Sequence, residues 1–103
     1  MDNNLAQEFE DALRGLYHTI VAETKAKYKP ILLMRMIDDI GAVSTAKNLI
    51  SREKPSEGYS ILSEFKRLDL TVEAFVLDNP KWHQLFTEEE LQKATVRLKP
   101  YGS

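Results

Sequence analysis

Apolar residues recur at helical spacing along most of the chain, and no stretch alternates steadily between apolar and polar residues. The longest run of helical spacing lies near the amino terminus and comprises Leu5, Phe9, Leu13, Leu16, Tyr17, Ile20 and Val21. This run predicts a first helix from about residue 4 to residue 25. Because no alternating stretch predicts a sheet, we expect an all-α fold, a compact single-domain bundle of six or seven short helices with a long first helix.

Proline and glycine divide the next part of the chain into short helices. Pro30 suits the first turn of a second helix, and Gly41 is expected to end it. The apolar stripe predicted for this helix is Ile31, Met34, Ile37 and Ile40, and Leu33 and Met36 are expected to widen it. A third helix is predicted over about residues 43–52, and the composition of residues 53–58 (EKPSEG) indicates a loop.

The fourth and fifth helices are predicted to meet at a corner of two residues. Ser56 is a suitable cap for the fourth helix, and Asp69 or Thr71 for the fifth. The inward face of the fourth helix is predicted to be Tyr59, Leu62 and Phe65. Pro80 ends the fifth helix, because proline disfavours helical geometry in the residue before it.

The last part of the chain contains the clearest local signal. Residues 87–90 (TEEE) match a capping box, in which Thr87 caps a helix and Glu90 reaches back to the start of it. Pro80 is expected to begin a short turn that contains Trp82, and Pro100 is expected to stop the last helix.

Length and composition narrow the class of protein. A chain of 103 residues suits one domain, residues 1–103. The formal net charge of −2 argues against nucleic-acid binding, which usually requires a positive excess. There is no cysteine, so disulfides, thiol catalysis and cysteine-based zinc sites are excluded. The start is polar and no apolar run is long enough to span a bilayer, so we expect a cytoplasmic protein.

Candidate residues for catalysis and metal binding are few. Asp38 and Asp39 are adjacent, and neighbouring helix positions point about 100° apart, so the two carboxylates do not converge on one substrate atom. The acids at 88–90 already have a capping role. His18 and His83 are the only histidines, and neither lies in a metal-binding frame. We therefore assign no catalytic, metal-binding or cofactor-binding residue and expect a protein that is not an enzyme.

Basic residues provide one alternative function. The candidate nucleic-acid contacts are Lys25, Lys27, Lys29, Arg35 and Lys66, with Arg67 beside the last of them. Lysine and arginine contact phosphates, although basic residues at helix ends also suit the helix dipole. The predicted fifth helix is acidic and apolar, unlike a helix that enters the major groove.

Aromatic residues provide the other functional reading. Tyr59, Trp82, Phe86 and Tyr101 are the aromatic residues suited to anchor a partner protein. The alternative for each is packing in the core.

Two motifs carry a resemblance to a known family. Residues 67–74 read RLDLTVEA and residues 85–91 read LFTEEEL, and Gly58 and Tyr59 precede the first motif. Over about residues 25–98 the chain resembles a family of small uncharacterised bacterial all-helical domains with the pattern G-[YF]-x-x-L-x-E-x-x-R-L-D-L-T-V-E-A, followed by L-F-T-x-E-E-L. The resemblance implies an all-helical single domain of bacterial origin and supplies no activity. The chain departs from the pattern at Ser63, where the pattern has tryptophan, and at Lys66, where it has glycine.

The resemblance draws attention to the corner between the fourth and fifth helices. Arg67 is close enough in sequence to pair with Asp69 or with Glu73, and such a network would fix the angle between the helices. The functional alternative is that Arg67 and Glu73 face a ligand or partner, together with the aromatic residues Tyr59 and Trp82. We expect a non-enzymatic interaction or accessory module that binds another protein or itself, and a nucleic-acid-binding module is the alternative.

Overall fold

The computed structural model describes the backbone of residues 3–102 and the side chains of residues 4–98. All regular secondary structure in that part of the chain is helical, which confirms the predicted all-α fold with a long first helix. The α-helices are α1 (Asn3–Glu23), α2 (Ile31–Ile40), α3 (Ala42–Ser51), α4 (Glu57–Glu64), α5 (Val72–Asp78) and α6 (Glu88–Gly102). Two 3-10 helices, Leu68–Leu70 and Pro80–Leu85, lie on either side of α5. No helix within residues 3–102 is long and apolar enough to cross a membrane.

The chain divides into two units, one up to Thr45 and the other from Ala46 onward. The division falls inside α3, which begins in the first unit and ends in the second. The first unit otherwise contains α1 and α2, and the second contains α4, α5, α6 and the 3-10 helices. The single domain over residues 1–103 stays a prediction.

In the first unit, α1 packs against α2 and buries Phe9 and Leu13 completely. The guanidinium of Arg14 on α1 lies 2.9 Å from Oδ1 of Asp38 on α2 and also pairs with Glu10. Thr24 follows the end of α1, and its hydroxyl donates to the carbonyl of Ile20 while accepting the backbone N–H of Tyr28. One buried hydroxyl therefore holds both sides of the turn between α1 and α2.

The buried face of α2 differs from the predicted stripe. Leu33 and Ile37 are buried, whereas Ile31 and Ile40 are 54% and 49% exposed. The prediction agrees with the burial of Ile37 and Leu33 and was wrong for Ile31 and Ile40, because its four main residues follow steps of three. Each such step falls about 60° short of a full turn, so after three steps Ile31 and Ile40 lie about 180° apart around the helix. The step of four from Leu33 to Ile37 keeps both side chains on one face.

In the second unit, α5 packs against α6 and against both 3-10 helices. Val72, Ala74 and Val76 of α5 are buried, together with Trp82 of the second 3-10 helix. The 3-10 helix after Pro80 agrees with the turn predicted there.

The corner between α4 and α5 is longer than predicted. The helices do not meet across two residues: Phe65 and Lys66 form a turn after the end of α4, and the 3-10 helix Leu68–Leu70 precedes α5. Leu68 and Leu70 are both buried, so the corner contributes to the core. Thr71, which was one of two predicted caps, accepts the backbone N–H of Ala74 at 3.2 Å and donates to the carbonyl of Leu68.

Two further helix ends test the local predictions. Ser56 accepts the backbone N–H of Tyr59, as predicted for α4. The capping box of α6 is also confirmed, because Thr87 accepts the N–H of Glu90 at 3.1 Å and Glu90 accepts that of Thr87 at 2.8 Å. The predicted stop at Pro100 was wrong, since α6 continues to Gly102. A proline inside a helix removes one backbone hydrogen bond and crowds the carbonyl four residues earlier, which can bend the helix without ending it.

Candidate functional site

Glu73 is the most deeply buried charged residue in the described part of the second unit, with 2% of its surface exposed. It is the second residue of α5. An unpaired carboxylate at such a position would lose most of its hydration without compensation. Arg97 of α6 supplies the partner, because its Nη1 lies 2.8 Å from Oε2 of Glu73. The side chain of Arg97 is itself only 10% exposed.

Arg97 also binds the carboxyl end of α3. Its Nη1 donates to the carbonyl of Leu49 at 3.1 Å, and its Nη2 donates to the carbonyl of Arg52. One turn earlier on α6, Lys93 donates to the carbonyl of Ser51 at 2.9 Å. The last carbonyls of a helix have no hydrogen-bond partner within the helix, and basic side chains are well suited to donate to them. Two cations of α6 thus hold the end of α3.

Tyr59 completes this cluster from α4. Its hydroxyl donates to the backbone carbonyl of Arg97 at 2.6 Å. Burial raises the pKa of the Tyr59 phenol, and the nearby carboxylate of Glu73 raises it further, against a smaller opposing effect of Arg97. The phenol therefore stays protonated at neutral pH and remains a hydrogen-bond donor. Glu73, Arg97 and Tyr59 together join α4, α5 and α6 with the end of α3.

An open groove lies directly beside this cluster. Its volume is about 640 Å³. The lining residues are Arg52, Glu53, Pro55, Tyr59, Glu89, Gln92, Lys93, Val96 and Arg97. Val96 is 60% exposed and contributes apolar surface to the groove. The groove therefore combines an apolar surface with lysine, arginine and glutamate side chains.

The predicted corner network divides into two ion pairs. Arg67 binds Asp69 through two bonds, Nε to Oδ1 and Nη2 to Oδ2, each 3.0 Å long. The hydrogen bonds from Arg67 lower the pKa of Asp69 despite an opposing effect of burial. Of the two partners considered for Arg67, the structure shows Asp69, while Glu73 binds Arg97. Tyr59 and Glu73 thus come together around Arg97, which the sequence analysis did not select.

Trp82 occupies the core and not the surface. It is 5% exposed and its ring stacks on Phe75 with the ring centres 6.2 Å apart. Phe86 is also buried. The positions of Trp82 and Phe86 therefore match the alternative of packing in the core, and not that of anchoring a partner protein. Tyr101, the remaining aromatic candidate, lies outside the described side chains.

The candidate nucleic-acid contacts are exposed. Lys25, Lys27 and Lys29 lie in the turn after α1, and Arg35 lies on α2 of the same unit. Lys66 lies in the second unit at the end of α4. The three lysines of the turn are thus spaced over five residues on one exposed segment.

The histidines lie apart in the chain and in different environments. The ring of His18 makes an edge contact with Tyr17, and His83 is half-buried on the second 3-10 helix. Among the described side chains, no three from histidine, cysteine, aspartate and glutamate form a group that could hold a metal ion.

Comparisons with models of protein families, with curated proteins and with solved structures find no match for this chain. The family resemblance of the 67–74 and 85–91 motifs therefore stays a prediction.

Proposed function

We propose that the chain is a cytoplasmic, non-enzymatic protein-interaction module, and that the groove beside α6 binds a segment of its partner. The observation that carries this proposal is the exposed side chain of Val96 in a groove of about 640 Å³ beside the anchored ring of Tyr59. Ligand grooves commonly combine apolar surface with a few well-placed polar groups.

The groove walls are well suited to bind without rearrangement. Arg97 and Lys93 bind three carbonyls at the end of α3, and Tyr59 is bound to α6 through its hydroxyl. A partner that meets a wall already ordered loses less conformational entropy on binding. Pre-organisation of this kind favours a specific contact over adaptable, non-specific adhesion.

The lining charges indicate what the partner segment contains. Arg52 and Lys93 are cations, and Glu53 and Glu89 are anions. A segment with an apolar side chain against Val96 and with both signs of charge around it complements this lining. A strongly acidic or strongly basic ligand would meet repulsion on one wall.

The test is affinity capture with two matched variants of α6. Val96→Glu places a charge in the apolar part of the groove, and Thr95→Glu places the same charge on an exposed neighbour that does not line the groove. We expect proteins captured from a bacterial lysate by the unmodified chain to be retained by Thr95→Glu and lost with Val96→Glu. Equal capture by both variants would show that the groove is not the binding surface.

A nucleic-acid-binding module is the second candidate, supported by the exposed lysines Lys25, Lys27 and Lys29 in one turn. Phosphate contacts make affinity fall steeply with salt. The measurement is light scattering after size exclusion, with and without a short mixed-sequence duplex, at low and high salt. A complex at low salt that dissociates at high salt, and that is lost when all three lysines are changed to glutamine, would favour this candidate. A chain that ignores the duplex at both salt concentrations would exclude it.

A further inference from the structure

The outer face of α2 contains an apolar stripe. Leu32, Met36 and Ile40 follow one another at steps of four residues, so they lie within about 80° of the helix circumference and extend for about 12 Å. Leu32 is 61% exposed, Ile40 is 49% exposed, and Met36 between them is half-buried. Around the helix, Ile40 lies between Leu32 on one side and the buried residues Leu33 and Ile37 on the other. This stripe is therefore additional to the face that packs inward.

Two charges border the stripe on its outer edge. Arg35 and Asp39 are both exposed and lie one turn apart, on the side of the stripe away from Leu33 and Ile37. They are opposite in sign, and the midpoint between them falls at Ile37, one residue beyond Met36. Along the helix, the apolar side chains lie at both ends and in the middle of the stripe. The cation Arg35 lies before the midpoint of the stripe, and the anion Asp39 lies after it.

This order is complementary to itself when the helix is reversed. In an antiparallel pair of α2 helices about a twofold axis near Met36, Leu32 of each copy lies beside Ile40 of the other. In such a pair, as in antiparallel coiled coils, the edge of one helix that contains Arg35 and Asp39 lies next to the same edge of the other helix. Arg35 of each copy then lies opposite position 37 of the other and is displaced by about 3 Å along the helix axis from Asp39. The long arginine side chain spans that displacement, which allows two ion pairs across the interface.

We infer that this face of α2 binds a second copy of the chain in an antiparallel pair. Charge complementarity is the reason for choosing a second copy: one charge pattern serves both partners because it reverses sign within about one residue of the centre of the stripe. The interface is small, because each copy contributes one helix face, so the dimer dissociates on dilution.

The first test uses two leucine-sized positions of the same helix. Leu32→Glu places a charge in the stripe, and Ile31→Glu places it on a side chain of similar exposure about 100° away around the helix. Sedimentation equilibrium over a range of concentrations should show a monomer–dimer equilibrium for the unmodified chain. Leu32→Glu should raise the dimer dissociation constant at least about tenfold, and Ile31→Glu should leave it within about twofold. A monomer at every concentration, or equal effects of the two variants, would overturn the inference.

The second test concerns orientation and uses charge exchange. Arg35→Asp and Asp39→Arg should each weaken the dimer, because each places like charges beside one another across the twofold axis. The double variant Arg35→Asp/Asp39→Arg should restore the dissociation constant, because the exchanged side chains again face opposite charges. Additive weakening in the double variant would exclude the antiparallel arrangement. Circular dichroism of every variant confirms that the fold is unchanged, since all four positions are exposed.

Discussion

At the scale of single residues, Glu73 and Arg97 decide how the second unit is held together. Replacing one member of a buried ion pair leaves the other charged and unpaired, which costs roughly 3–5 kcal/mol. Arg97 additionally binds the carbonyls of Leu49 and Arg52, whereas Glu73 has no comparable second role among the bonds described. The two residues are therefore not equivalent, although they form one pair.

We expect Arg97→Met to destabilise the chain by at least about 3 kcal/mol, because it leaves the Glu73 carboxylate and two carbonyls without their donor. Glu73→Gln should cost less, because the amide oxygen still accepts from Arg97. Urea unfolding at neutral pH measures both. A glutamine variant as unstable as the methionine variant would show that the carbonyl contacts contribute little, and the double variant gives the coupling between the two side chains.

A second residue-scale prediction concerns acid stability. The pKa of Asp69 is lowered chiefly by its hydrogen bonds from Arg67. A carboxyl group with a lowered pKa in the folded state stabilises the fold above the pKa of about 3.9 it has when unfolded, and this contribution is lost as the pH falls through the folded value. Stability should therefore decrease from pH 5 towards pH 2, and Arg67→Gln should make the decrease shallower.

The measurement is the free energy of unfolding in urea at several pH values between 2 and 7. Asp69→Asn removes the titrating group and should flatten the same part of the curve as Arg67→Gln does. Because both side chains are more than one third exposed, the effect is expected to be small and to weaken in high salt. An unchanged pH profile in both variants would argue that the pair does not persist in solution.

The residue scale also shows why the site was only partly predictable from sequence. Thr87 and Glu90 are three residues apart, and the geometry of a helix start determines their contact. Arg97 contacts Glu73 across 24 residues and Tyr59 across 38, and no local spacing indicates such a contact. A glutamate within the apolar segment of α5 was the available signal, since a buried carboxylate needs a cation from elsewhere in the chain.

At the scale of elements, the ends of the helices account for the corner that the sequence analysis made too short. Arg67 donates its backbone N–H to the carbonyl of Leu62, and Lys66 donates to that of Ser63, which is the bonding pattern of a Schellman motif. Lys66 consequently has a φ of 61°, in the left-handed region that favours glycine. A glycine at this position would adopt the same φ without strain.

We expect Lys66→Gly to stabilise the chain by roughly 0.5–1 kcal/mol, because glycine adopts the left-handed conformation without strain. Ser60→Gly is the control, since Ser60 is exposed within α4 and its replacement should destabilise by about 0.5 kcal/mol. Thermal unfolding of both variants provides the comparison. Destabilisation by Lys66→Gly would show that the lysine side chain contributes more than the backbone strain removes.

The second helix shows a different limit of sequence analysis. Residues 31–37 are apolar at every position except Arg35, so apolar spacing alone does not select one face. Capping residues constrain where a helix begins and ends, but not how it rotates about its axis. The packing of α1 against α2 selects Leu33 and Ile37, and this contact joins segments distant in sequence.

At the scale of the whole molecule, the question is whether the two units unfold together. The helix α3 runs from Ala42 to Ser51 without a break and so belongs to both. Helix formation is cooperative along a continuous segment, because propagation is favourable once the first turn exists. Loss of either end of α3 should therefore weaken the other end, and the predicted single domain requires this coupling.

We expect one unfolding transition for the whole chain, in accordance with the behaviour of most domains of this size. Two signals report on different parts: far-ultraviolet circular dichroism reports on the helices of both units, and the fluorescence of Trp82 reports on the second unit alone. Both signals, followed in urea on one sample at low protein concentration, should give the same midpoint. Separate midpoints would show that the two units unfold independently, and the order of the midpoints would identify the less stable unit.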